Sequence, residues 1–174
     1  MAQKTVILLA MHGMPPRDFP RQDMAEWGRL HSALGQMSGE ERERAAKRYE
    51  DLERKLRSWP RTEQNDPFHK ASHELAQKLE GRTGFKVVTA FSDFCGPTLD
   101  EGFDLSAQEK AERVVVITPM MTRGGNHSES DIPKAIEKAK KRFPQMAIHY
   151  VWPYADSTIV EFLAQQLTPH LNHS

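Results

Sequence analysis

Residues 113–118, Arg113-Val114-Val115-Val116-Ile117-Thr118, decide the fold. Four consecutive β-branched aliphatic residues leave no polar face, so the run reads as a strand covered on both sides, as in parallel sheets. Three other short runs share this character: Thr5–Met11, Phe85–Phe91 and Ala147–Trp152. Between and after them the apolar residues take a helical period. Phe68–Arg82 places Phe68, Ala71, Leu75 and Leu79 on one face, and Ile132–Phe143 does the same with Ile132, Ala135, Ile136, Ala139 and Phe143. Ile159–Leu171 repeats the pattern with Ile159, Phe162, Leu163, Leu167 and Leu171, and a weaker helix fills Leu99–Ala111. Alternating strands and helices predict an α/β fold with a doubly wound, parallel, four-stranded sheet. Right-handed crossovers give it the order 2-1-3-4.

One segment departs from the alternation. From Pro20 to Asp66 there is helical period but no strand: Trp27, Leu30, Leu34 and Met37 form one seam, and Ala45, Tyr49, Leu52, Leu56 and Trp59 another. Thirteen of the eighteen residues from Glu40 to Arg57 are charged. Their spacing offers the i,i+4 pairs Glu40–Arg44, Glu43–Lys47, Glu50–Arg54, Asp51–Lys55 and Glu53–Arg57. The segment, about residues 20–66, reads as a helical hairpin inserted after the first strand of a single domain spanning residues 1–174.

Composition narrows the partners. The 174 residues carry 24 basic and 24 acidic side chains. A formal charge of zero gives no electrostatic reason to expect nucleic acid or an anionic membrane surface. A lone cysteine, Cys95, excludes an internal disulfide framework and a cysteine-rich zinc site, which makes the cytoplasm the expected compartment. The apolar run Val6–Met11 is far shorter than the ~20 residues of a membrane span.

In open α/β sheets, ligands sit beyond the carboxyl ends of the strands where the strand order reverses. For the order 2-1-3-4 that crevice lies between strands 1 and 3, so the loops to inspect are His12–Phe19, Met120–Ser130 and the adjacent Ser92–Thr98. They carry His12, His127 and Asp93. Two imidazoles and a carboxylate suit divalent iron, cobalt, nickel or zinc, and imidazole with a reference pKa near ~6.5 also accepts protons at neutral pH. Ser128-x-x-Asp131 has the form of a capping box ahead of the next helix, whose free N–H groups suit a phosphate or carboxylate. His69 and His73 stand four apart on a predicted helix without a third ligand nearby, and His31, His149, His170 and His173 form no constellation.

Several of these features resemble a known family. Val114–Leu167 contains a hydrophobic strand, Thr118-Pro119, a glycine-containing loop ending in His127, and Asp131-Ile132-Pro133 opening a helix. Leu8–Gly13 ends in His12-Gly13, and Phe91-Ser92-Asp93-Phe94-Cys95-Gly96-Pro97 has the outline of a Phe-x-Glu-Phe-x-x-Pro segment. Together these resemble the small class II tetrapyrrole chelatases of the sirohydrochlorin cobaltochelatase type. The resemblance implies a chelatase-like parallel sheet, a homodimer, and a metal-handling set of His12, Asp93 and His127. It implies insertion of a divalent metal (cobalt, nickel or iron) as substrate into a sirohydrochlorin-like tetrapyrrole, with no organic cofactor. His12 and His127 would be the catalytic metal ligands and proton acceptors, Arg17, Arg21 and Arg123 would pair the substrate's carboxylates, and Ser128 would belong to the substrate-binding set. The sequence departs from the family by Asp93 in place of Glu, by Pro153-Tyr154-Ala155-Asp156 where Gly-x-His-Pro is usual, and by the insertion. A carrier with the same pocket is the alternative. A histidine phosphatase is disfavoured because Met11 stands where that family has arginine.

Overall fold

A computed structural model describes residues 3–171. Four strands, β1 (Thr5–Met11), β2 (Lys86–Phe91), β3 (Arg113–Ile117) and β4 (Ala147–Tyr150), form one parallel sheet in the order β2-β1-β3-β4. The predicted order and strand direction hold; β1 matches its apolar run, and the other three strands are one or two residues shorter than theirs. Around the sheet lie α1 (Arg21–Ala33), α2 (Gly39–Arg57), α3 (Pro67–Thr83), α4 (Leu99–Gln108), α5 (Ile132–Arg142) and α6 (Asp156–Leu171). No helix among the described residues is long and apolar enough to cross a membrane.

Alternation along β1 divides the core. Val6, Leu8 and Ala10 meet α4 and α5 through Phe103, Ile132, Ile136 and Ala139, while Leu9 and Met11 face α3 through Ala76 with Phe91 and Cys95 beside them. The α4 contact is so close that a methyl group on Gly102 would stand 2.7 Å from both Ala90 Cβ and Leu8 Cδ1. Helix starts are chemically marked. Asp66 accepts the His69 N–H at 2.9 Å ahead of Pro67, which opens α3 with φ already suited to a first turn. At α4 the Thr98 hydroxyl accepts from Glu101 N (3.2 Å) and the Glu101 carboxylate accepts from Thr98 N (2.6 Å), a reciprocal cap. The cap expected at Ser128 and Asp131 does not form. There the backbone makes a π-helical turn (His127–Asp131), and the buried Ser128 hydroxyl donates to the Gly125 carbonyl at 3.1 Å.

The charged hairpin pairs differently from its spacing. Glu40–Arg44 and Glu53–Arg57 form, but Lys55 binds Asp23 at 2.6 Å, Arg48 binds Glu26 at 2.6 Å, and Arg54 turns to Asp51. Burying Leu30, Leu52 and Leu56 brings α1 against α2, so Asp23 takes Lys55 in place of the expected Asp51 and Glu26 takes Arg48. On α6 the predicted stripe of Ile159, Phe162, Leu163, Leu167 and Leu171 exists, yet all but the half-buried Ile159 remain 46–70% exposed. Periodicity revealed the stripe, but not that nothing among the described residues covers it.

His69 and His73 on α3 face each other with Nε2 atoms 3.2 Å apart and lie against Phe91. Burial holds both imidazoles below their ordinary value, with His73 adding to the effect on His69. A histidine depressed in the fold stabilises it above the unfolded value of about 6.5 and loses that contribution as pH falls through the folded value. The melting temperature is therefore expected to drop more steeply between about pH 7 and pH 5 in the native chain than in a His69→Gln/His73→Gln variant. Parallel curves would contradict it.

Candidate metal centre

β1 and β2 end at the same level, with Met11 opposite Phe91, so His12 and Asp93 emerge side by side. Their loops are stitched together by Ser92 N to the Met11 carbonyl and Asp93 N to the His12 carbonyl, both at 2.9 Å. Gly13 makes this approach feasible. Its φ is +106°, and a β-carbon there would lie 1.9 Å from the Asp93 carbonyl oxygen. On the other side of β1 the pairing with β3 ends at Leu9 opposite Ile117, and the long following loop carries His127 back to the same rim. That loop is anchored from the β4 side. The Tyr154 hydroxyl donates to the Thr118 carbonyl (2.5 Å) and the Tyr150 hydroxyl to the Ser128 carbonyl (2.9 Å).

These contacts bring His12, Asp93 and His127 into one group whose ligand atoms all lie within 4.8 Å of one another. The His12 and His127 ring centroids are 4.6 Å apart. His127 is held between two carboxylates: Nδ1 is 2.7 Å from Asp131 Oδ2 and Nε2 is 3.1 Å from Asp93 Oδ2. With the Nδ1 proton donated to Asp131, the Nε2 lone pair points at the Asp93 carboxylate. Two acceptors facing at that distance need a positive charge between them, and a proton or a metal ion satisfies both. His12 Nδ1 is buried with no hydrogen-bond partner among the described residues, so that imidazole is free of the anchoring that fixes His127. The donor set fits a borderline divalent metal.

Asp131 is the site residue that the sequence reasoning placed in another role. Its fixed distance of four from His127 is the signal, because on a helical turn that spacing puts a carboxylate beside the imidazole. Arg17 and Arg123 are exposed on the loops after β1 and β3. Ser128 is buried beside His127, and its hydroxyl donates to the Gly125 carbonyl at 3.1 Å.

The insertion reaches this centre through two arginines. Arg57, at the end of α2, donates to the carbonyls of Cys95 (2.8 Å) and Ser92 (3.3 Å). Arg61 donates to the carbonyls of Met14 (2.8 Å), Phe94 (2.6 Å) and Leu56 (2.8 Å) while paired with the buried Asp66 at 2.6 Å. The loops bearing His12 and Asp93 are thus fastened to the hairpin and to the start of α3. In the sequence Arg57 was legible only as the i,i+4 partner of Glu53, and Arg61 did not stand out.

Comparison with known proteins places this arrangement. The profile of the CbiX family matches residues 63–169, a stretch that includes Asp93, His127 and Asp131 and leaves His12 outside. A sirohydrochlorin ferrochelatase from Priestia megaterium is 30% identical over 78 residues, 44% of this chain and 29% of that protein. A sirohydrochlorin cobaltochelatase from the same organism is 37% identical over 67 residues, 38% of this chain and 22% of that protein. The matched segments are thus less than a third of those relatives' own lengths. A crystal structure described as a cobalamin (vitamin B12) biosynthesis CbiX protein from Marinobacter aquaeolei shares the fold, with a TM-score of 0.52 at 15% identity, covering 98% of this chain and 99% of that one. With its profile matched over more than half of the residues, the chain belongs to the CbiX family of class II chelatases.

Proposed function

We propose that this chain is a metal-insertion lyase that places a divalent metal, cobalt, nickel or iron, into a sirohydrochlorin-like tetrapyrrole. The observation that carries this reading is the convergence of His12, Asp93 and His127 at the ends of three adjacent strands, within reach of one ion. The named relatives, a ferrochelatase and a cobaltochelatase acting on sirohydrochlorin, support the substrate class.

Insertion exchanges two pyrrole N–H protons for one divalent ion, so two protons must leave as the ring nitrogens take the metal. His127 Nε2 and His12 hold the incoming ion and accept protons as it departs, and Asp93 shares the ion from the outer side. Asp131 keeps His127 in the tautomer whose Nε2 is unprotonated. Arg17 and Arg123 meet peripheral carboxylates of the ring. The test is the change in tetrapyrrole absorption when cobalt, nickel or iron is supplied with and without protein. Acceleration above background is expected. Binding of ring and metal without acceleration would leave a carrier.

The active form in this reading is a homodimer, supported by the uncovered apolar stripe of α6. Light scattering is expected to give twice the chain mass, and Leu163→Glu/Leu167→Glu to return it to the monomer. A monomeric native protein would remove this part of the proposal.

A further inference from the structure

The cleft beside His127, lined by Met120, Met121, Thr122 and Asn126, holds about 280 Å³. That is below the ~300–1,000 Å³ that usually encloses a drug-sized ligand, and a tetrapyrrole is larger still. A macrocycle presented to His12 and His127 must therefore lie against an open surface. The surface next to the centre is aromatic, although only 8% of the residues are Phe, Trp or Tyr.

A row of rings leads from the insertion to the metal-binding imidazole. Trp27 of α1 stacks on His31 at 5.0 Å and 14°, lies 5.9 Å from Tyr49 of α2, and contacts Phe94 at 5.3 Å. Phe94 is nearly parallel to His12, at 6.2 Å and 13°. Phe94 has φ +57°, a left-handed conformation that is costly for a bulky side chain and that aims its ring into the row. None of these five rings is fully buried, so the row is not a closed core. The Trp27 indole N–H has no acceptor among the described residues, so stacking holds the ring in place. Tyr49, whose hydroxyl lies 3.1 Å from His31 Nδ1, also feels the site: burial, then Glu53, and further the Asp93 carboxylate push its hydroxyl up to about 12.

We infer that the α1–α2 hairpin supplies an aromatic wall, Trp27, His31, Tyr49 and Phe94, that receives the flat face of the conjugated macrocycle and sets it over His12 and His127. The inference rests on the tetrapyrrole chelatase reading. A planar π-system gains both apolar burial and offset stacking from such a row, and tolerates variation at its edge. The hairpin is then part of the substrate site.

The test measures binding of metal-free sirohydrochlorin, KM and kcat for cobalt insertion, and cobalt affinity without the ring, in the full chain. Trp27→Leu is expected to weaken ring binding and raise KM about three- to tenfold, with kcat and cobalt affinity near native; Trp27→Phe should restore most of the loss. Tyr49→Leu, at the far side of the row, supplies the same comparison where Trp27→Leu fails to fold. Unchanged ring binding in a folded variant overturns the wall and leaves the chelatase reading standing. A native protein that binds no tetrapyrrole overturns that reading, and the wall falls with it.

Discussion

Replacing His127 with alanine is expected to lower metal insertion on the order of 10²–10⁴-fold, the usual contribution of a positioned acid–base group. The loss is large because two functions disappear together. In the proposed reading the Nε2 ligand goes, and the Asp93 and Asp131 carboxylates, 3.1 and 2.7 Å from the ring, lose the imidazole that separates them. His12→Ala should be comparable, since this imidazole lacks a competing hydrogen bond at Nδ1 and is free to serve the ion. Asp93→Asn should cost less, because the proposed reading makes this carboxylate, at the outer side of the crevice, a subsidiary ligand. Asp131→Asn is expected to cost about 10–100-fold, the range for a residue that orients a metal ligand. Cobalt titration followed by the insertion assay gives both readouts. Native insertion rates in His127→Ala would end the assignment of this centre.

Arg61→Met is expected to destabilise the chain by about 3–5 kcal/mol, the cost of leaving one partner of a buried ion pair uncompensated. Asp66 is 1% exposed and the Arg61 side chain 8%, so solvent cannot replace the lost charge. Three backbone carbonyls lose a donor in the same substitution, those of Met14, Leu56 and Phe94. Two of them belong to the loops that carry His12 and Asp93. Urea unfolding should therefore show the loss of stability, and cobalt binding should weaken as the loops come apart. Adding Asp66→Asn should recover part of the stability, because asparagine still caps α3 and no isolated charge remains. A single variant as stable as the native chain would mean that the clamp is dispensable.

Much of this arrangement is legible in the sequence. The β-branched run at Val114–Ile117, the short apolar runs around it and the rule for switch points placed His12, Asp93 and His127 at one rim. That inference needs only strand order, which chain connectivity constrains strongly. The seams of Trp27, Leu30, Leu52 and Leu56 likewise revealed two helices where the alternation broke. What escaped has no period. Arg57 and Arg61 act on carbonyls 33–47 residues away in sequence, and backbone acceptors leave no trace in residue identity. Lys55 was assigned Asp51 on its own helix, and Arg48 no partner, because local spacing is all that a sequence displays; Asp23 and Glu26 come within reach only once α1 docks. Ser128 had the residue type of a cap, but the π-helical turn shifts the register and turns it inward.

The Cys95 thiol lies completely buried beneath these same loops, donating to the Met14 carbonyl and close to Asp66, with burial raising it above the ordinary thiol range. A thiol in that state is inert to alkylating reagents while the loops stay closed. Its labelling can proceed only through opening motions, either local, at the rim, or global. Because the chain contains a single cysteine, the rate of modification by a small thiol reagent is an unambiguous clock for such openings. Its dependence on denaturant separates the two kinds: rim opening exposes little new surface and responds weakly, whereas whole-chain unfolding responds steeply. Ligands that bridge His12 and Asp93 slow the clock in proportion to how firmly they hold the rim shut.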